Sequence, residues 1–120
     1  MLGVEYYPGE WDKEPCLSTL IPVYEARQPT TPVAQRAMAK EGYAVGALTV
    51  RSKRFVDAVQ ITFMRMSAGQ LDPADSYQSP WLGPAAEGAK ETKLGGDGRR
   101  VIGLHQKKGA ILNGIALVME

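Results

Sequence analysis

Residues 45–66, VGALTVRSKRFVDAVQITFMRM, return at residues 101–120 as VIGLHQKKGAILNGIALVME. A shift of 56 positions lays Val45 on Val101, Leu48 on Leu104, Val56 on Leu112, Val59 on Ile115 and Ile61 on Leu117. The polar interruptions coincide as well: Arg51 with Lys107, Ser52 with Lys108, Asp57 with Asn113. Each copy is two alternating apolar runs about a polar turn. Side chains alternate faces along a strand, so the pattern predicts a β-hairpin with one face in the core. A diverged third copy opens the chain. In LGVEYYPGEWDKEPCLSTLIPVY, residues 2–24, the triplet Leu20, Pro22, Tyr24 stands where Val59, Ile61, Phe63 and Ile115, Leu117, Met119 stand in the others. Leu2 and Val4 are expected to face inward. Pro22 donates no ladder hydrogen bond, which predicts an edge strand or a bulge there. Three copies of one supersecondary unit predict an all-β domain with pseudo-threefold symmetry, its function carried by the loops.

A chain of 120 residues suits one domain, residues 1–120, burying roughly two thirds of its unfolded surface. Its 44% apolar and 22% charged residues are those of a globular protein, and thirteen Gly with eight Pro fit many turns between short strands. The formal charge of +1 offers no general attraction to a polyanion, so nucleic acid is not an expected partner. Arg99-Arg100 and Lys107-Lys108 read as solvated turn residues. Cys16 is the only cysteine, which excludes an intrachain disulfide. Beside Leu17 it reads as a thiol packed at a strand start. No apolar run approaches the roughly 18 residues of a membrane-spanning helix, and no signal peptide is apparent. The expectation is a soluble cytoplasmic protein, or a module of a longer chain.

Two connections join the hairpins. Residues 25–44, EARQPTTPVAQRAMAKEGYA, read as an irregular crossover with one strand around Val33, or alternatively a short helix over Val33 to Lys40. Residues 67–98 are rich in Gly, Pro and Asp. They read as a long surface loop with short strands near Tyr77 and Lys93, Tyr77 and Trp81 anchoring it.

The runs VRSKRFVDAVQITF and LGGDGRRVIGLHQKKGAILNGIALV, and more loosely LSTLIPVY, resemble the jacalin-related lectins. The resemblance implies a β-prism of three four-stranded Greek-key sheets about a pseudo-threefold axis. A β-trefoil is the alternative. In that family the last hairpin carries a Gly-x-x-x-Asp sugar-binding loop, which here reads Gly109-Ala110-Ile111-Leu112-Asn113. The resemblance therefore implies non-catalytic carbohydrate binding. Backbone donors would come from Gly109, Ala110 and Ile111 and an amide from Asn113. Gly95 and Gly96 of the Gly95-Gly96-Asp97-Gly98 run would form a second wall, and Trp11 a stacking platform. Asn113 stands where the family has an acid, and so loses the charge that roughly doubles a hydroxyl-to-carboxylate bond. Asp57 keeps the acid in the second hairpin, but Lys53 replaces its glycine, and a turn-capping role for Asp57 is the simpler reading. The alternative function is a protein-interaction or accessory module, or a structural unit assembling as a homo-oligomer.

Catalysis and cofactors are not expected. Asp72, Asp75 and Asp97 lack the alternating oxygen ligands of a calcium loop, and Asp72-Pro73 reads as a turn opener. The single His105 falls at an outward phase with no nucleophile beside it in sequence. Leu94-Gly95-Gly96-Asp97-Gly98 precedes a strand rather than a helix, which excludes a phosphate-binding loop.

Overall fold

The structure, a computed structural model, describes residues 1–11, 13–25, 35–53, 55–84, 88–108 and 111–120, and of residues 11, 14, 15 and 108 the backbone alone. Nine strands and no helix occur among the described residues: β1 (Gly3–Trp11), β2 (Glu14–Val23), β3 (Gln35–Met38), β4 (Tyr43–Ser52), β5 (Val56–Ser67), β6 (Gln70–Gln78), β7 (Lys90–Gly95), β8 (Val101–Lys108) and β9 (Leu112–Met119). No helix there is long and apolar enough to cross a membrane. The all-β expectation is met, and each repeat is a hairpin: β1–β2, β4–β5 and β8–β9.

The 56-residue shift holds pair for pair. Leu48 opposite Ile61 becomes Leu104 opposite Leu117, and Val50 opposite Val59 becomes Gln106 opposite Ile115. Even the irregularities recur, after Val45 and Arg51 in one hairpin and after Val101 and Lys107 in the other. Identical register follows from identical apolar phase, because a slip of one residue would turn every core side chain outward.

Each hairpin lies in its own antiparallel sheet, ordered β2-β1-β3, β6-β5-β4-β7 and β8-β9. The described residues thus form sheets of three, four and two strands, where three of four were expected. Both strands from the second connection, β6 and β7, join the middle sheet, so among the described residues no strand flanks β8 and β9. That connection is more regular than a surface loop, with β6 and β7 lying where strands near Tyr77 and Lys93 were expected. In the first connection the strand is β3, just beyond Val33. Val33 itself lies outside the described residues, as does Ala34, but residues 35–40 of the alternative helix are described and hold strand β3 instead of a helix.

β2 is an edge strand, which accommodates Pro22. Pro8 sits in β1 past the last pair with β3, at Tyr6–Gln35, and next to a break in register with β2. Among the described residues β1 is locally an edge there as well. Gly3 lets β1 and β3 approach closely, since a Cβ at Gly3 would stand 2.2 Å from the Ala37 carbonyl oxygen.

The three return strands β2, β5 and β9 touch one another around the main apolar core, while a smaller cluster of Ala44, Ala47, Met64 and Leu71 lies on the middle sheet. Val4, Leu17, Leu20, Val59, Ile61, Phe63 and Leu112 are fully buried in the main core. The Leu20–Pro22–Tyr24 triplet follows the inward pattern only in part: Leu20 is buried, but Tyr24 lies past the end of β2 and is 52% exposed. Its hydroxyl donates to the Ile102 carbonyl at 2.9 Å.

Sheet edges meet in pairs around this core. At the β2–β8 corner the Gln106 side chain reads the backbone of the neighbouring sheet. Its Nε2 donates to the Leu20 carbonyl at 2.7 Å, and its Oε1 accepts from the Leu20 N–H at 3.1 Å. At the β3–β6 corner the Tyr77 hydroxyl accepts from the Lys40 N–H at 2.8 Å, and the Tyr77 ring lies 5.1 Å from that of Phe63. At the β7–β9 corner Gly95 packs against Leu117, where a Cβ would lie 3.0 Å from Leu117 Cδ1.

Candidate functional site

The ends of the first two hairpins lie beside each other. Asp57, opening β5, and Glu10, near the end of β1, both act on the Cys16 thiol at the start of β2. Burial, then these two carboxylates, push that thiol above its ordinary range. A thiol held protonated is a poor nucleophile, so Cys16 is the packed residue expected of it. Asp57 is itself buried, more enclosed than a turn-capping carboxylate need be.

Beside these ends, β7 and β9 splay apart above Gly95 and leave a hollow of about 200 Å³. It is lined by Asn113, Gly114 and Ile115 of β9, Val50 and Ser52 of β4, Val56 of β5, and Thr92 and Leu94 of β7, with Asn113 and Thr92 exposed and Val50 and Val56 buried. Asn113 is exposed and falls at the irregularity where Lys107 pairs with Gly114 and Lys108 with Leu112, so it is the extra residue of a bulge. An amide and two hydroxyls supply both donors and acceptors, and the apolar lining residues supply an apolar surface. Ser52 and Thr92 were not singled out in sequence. Ser52 matches Lys108 in the repeat, and Thr92 falls in a segment without apolar alternation, so neither carried a signal.

The other residues expected at the site are placed as follows. Gly109 and Ala110 lie outside the described residues. Ile111 is buried, so its side chain belongs to the interior and only its backbone is available to a ligand. Trp11 ends β1 opposite Glu14, and its side chain is not described. Gly95 and Gly96 do not form a second wall for Asn113. β7 runs antiparallel to β4, from Lys90 opposite Ser52 to Gly95 opposite Ala47, which carries the glycines away from the tips. Gly95 meets Leu117, four residues along β9 from Asn113 and therefore roughly 13 Å away.

The glycine run instead shapes the base of the molecule. A hollow of about 420 Å³ there is bordered by Gln70, Leu71, Asp97, Gly98, Arg99, Arg100 and Glu120. Gly98 is buried with φ +96°, and a Cβ on it would lie 2.8 Å from the Leu71 carbonyl oxygen. Its own carbonyl accepts from the Leu71 N–H at 2.9 Å. Asp97 accepts from the Arg99 N–H at 3.0 Å and from Arg99 Nε at 2.9 Å, bonds that hold its carboxyl below the usual carboxylate range. Arg100 pairs with Glu120, which raises the guanidinium further. Arg99 and Arg100 are exposed as expected, but each is fixed by an acid.

The remaining candidates serve the scaffold. Asp72 accepts from the Ala74 N–H at 2.9 Å, the turn-opening bond expected of it. Asp75 accepts from Tyr43 Oη at 2.7 Å and Arg65 Nε at 2.6 Å. Trp81 lies under the Arg51 guanidinium, 3.8 Å from its ring centre. His105 is exposed on the outer face of β8. Among the described residues no group of three His, Cys, Asp or Glu is placed to hold a metal. Comparisons with protein-family models, with curated proteins and with solved structures each found no match to this chain.

Proposed function

We propose that the chain is a non-catalytic, lectin-like carbohydrate-binding module on a jacalin-like β-prism. Three separate sheets, each built on one hairpin and all contributing to one main core, support the prism over a trefoil. The observation that carries the function is the hollow lined by Asn113, Ser52 and Thr92 together with the apolar Val50, Val56, Leu94 and Ile115. A sugar ring has the complementary chemistry: hydroxyls that donate and accept on its rim, and C–H groups on its face. About 200 Å³ falls below the roughly 300–1,000 Å³ of clefts for drug-sized ligands, which suits a single ring.

A glycan array followed by calorimetry on the best hit tests this. Asn113→Asp restores a charged acceptor and is expected to tighten binding about fivefold to tenfold, while Asn113→Ala weakens it by a similar factor. An array hit indifferent to both substitutions would remove the hollow from the mechanism. A blank array would remove the function.

The second reading is a protein-interaction or accessory module. Tyr24, Met66, Ile102 and Val118 are 52%, 49%, 49% and 41% exposed. They are not scattered: Tyr24 and Met66 border one hollow of about 150 Å³, Tyr24 bonds Ile102, and Val118 pairs with Gly103 beneath the Tyr24 hydroxyl. Grouped exposed apolar side chains mark contact surfaces more often than isolated ones do. Sedimentation of the chain alone separates self-association from a foreign partner.

A further inference from the structure

We propose that the basal hollow is a second carbohydrate site, selective for neutral ligands bearing vicinal hydroxyls and separate from the Asn113 hollow. The inference rests on the carbohydrate reading above and adds a binding site at the opposite end. Asn113 and Glu120 are separated by seven residues of β9 and its end, roughly 20 Å of extended chain. The two hollows share no lining residue.

The argument begins with charge. Four charged side chains border the hollow, and they are paired on the spot, Asp97 with Arg99 and Arg100 with Glu120. Two cations and two anions cancel, so neither an anion nor a cation gains by displacing its rival. Each pair nevertheless presents an acceptor beside a donor. A carboxylate has about four acceptor positions and a guanidinium five N–H donors, so one pairing exhausts neither. Adjacent hydroxyls on a ring match that arrangement: one donates to the carboxylate while its neighbour accepts from the guanidinium. The Gln70 amide extends the same alternation around the rim.

The walls are also set in advance. Asp97 is held by two bonds from Arg99. Gly98 is pinned between its bond from Leu71 and a backbone conformation that leaves no room for a Cβ. The opposite wall is fixed by the Glu120 N–H donating to the Arg100 carbonyl at 2.9 Å. A site whose polar groups are already positioned loses less entropy when it binds. At about 420 Å³ it is twice the size of the Asn113 hollow, enough for more than one ring.

Amide NMR on the intact chain, titrated with the methyl glycosides of glucose, mannose and galactose and separately with inorganic phosphate, tests the assignment. The expected result is saturable shifts at Leu71, Gly98 and Arg99 with at least one glycoside and none with phosphate. Asp97→Ala should weaken the basal response about tenfold, and Glu120→Gln should weaken it with no change in fold. Asn113→Ala should leave it intact. Shifts at Asn113 and Ile115 alone would overturn this site and keep the first. No saturable shift at either place would overturn both. A phosphate response at Arg99 stronger than any glycoside response would make the hollow an anion site and overturn the proposal.

Discussion

Ile61 and Leu117 occupy the same place in two copies of the repeat, yet Ile61 is wholly buried and Leu117 only half-buried. The difference comes from neighbours: β5 lies between β4 and β6, whereas β9 pairs only with β8 among the described residues. Ile61→Ala is expected to cost about 3–4 kcal/mol and Leu117→Ala about half of that, read from urea denaturation of the two variants. Equal losses would mean that the third hairpin is as enclosed as the second. Apolar periodicity showed which face of each strand turns inward but not how much would cover it, because that depends on strands contributed from elsewhere in the chain. Asp75 makes a different kind of residue-level statement. Arg65 and then Tyr43 hold its carboxyl below the ordinary range, so its contribution to stability is present above that range. It is lost as pH falls through the lowered folded value. Asp75→Asn is therefore expected to lower Tm at neutral pH, with the gap to the parent closing in acid. A gap independent of pH would show that the carboxylate's charge is not what matters.

At the scale of elements, the second and third hairpins were legible down to their register, whereas the strands between them were legible only as short stretches near Tyr77 and Lys93 in a surface loop. Residues 70–78 and 90–95 carry few apolar side chains because β6 and β7 are the outer strands of their sheet, mostly exposed, with Tyr77 and Leu94 packed against the main core and Leu71 in the smaller cluster. Pro73 inside β6 looks like a loop marker in sequence and is tolerated because an edge strand has N–H groups that need no partner strand. The site was half legible for the same reason. Asn113 stood out against the repeat, while Ser52 and Thr92 reach it only through the packing of β7 beside β9. One polar residue did carry a signal. Gln106 occupies the phase held by buried Val50 in the second hairpin, and a glutamine at a core phase needs partners. It finds both in Leu20. Gln106→Ala leaves that N–H and C=O unmatched and is expected to destabilise by about 1–3 kcal/mol, with faster hydrogen exchange at Leu20 than at Val59. Unchanged exchange at Leu20 would show that water replaces the amide without loss.

Across the whole molecule, the main core cluster draws residues from all three sheets, and only the smaller cluster of Ala44, Ala47, Met64 and Leu71 belongs to the middle sheet alone. Heat and urea are therefore expected to unfold the chain in a single transition, with tryptophan fluorescence and far-UV circular dichroism tracing coincident curves. Two separated midpoints would mean that one hairpin, most readily β8–β9, comes away first. The arrangement also has a mechanical side. Within a sheet, load is shared by a ladder of backbone bonds, but at the corner between β2 and β8 it falls chiefly on the one Gln106 amide and on the Tyr24 hydroxyl reaching Ile102. Pulled across that corner, the protein should behave less like a zipper than like a box with a latch: stiff until two side chains let go, then open along one seam with its panels intact.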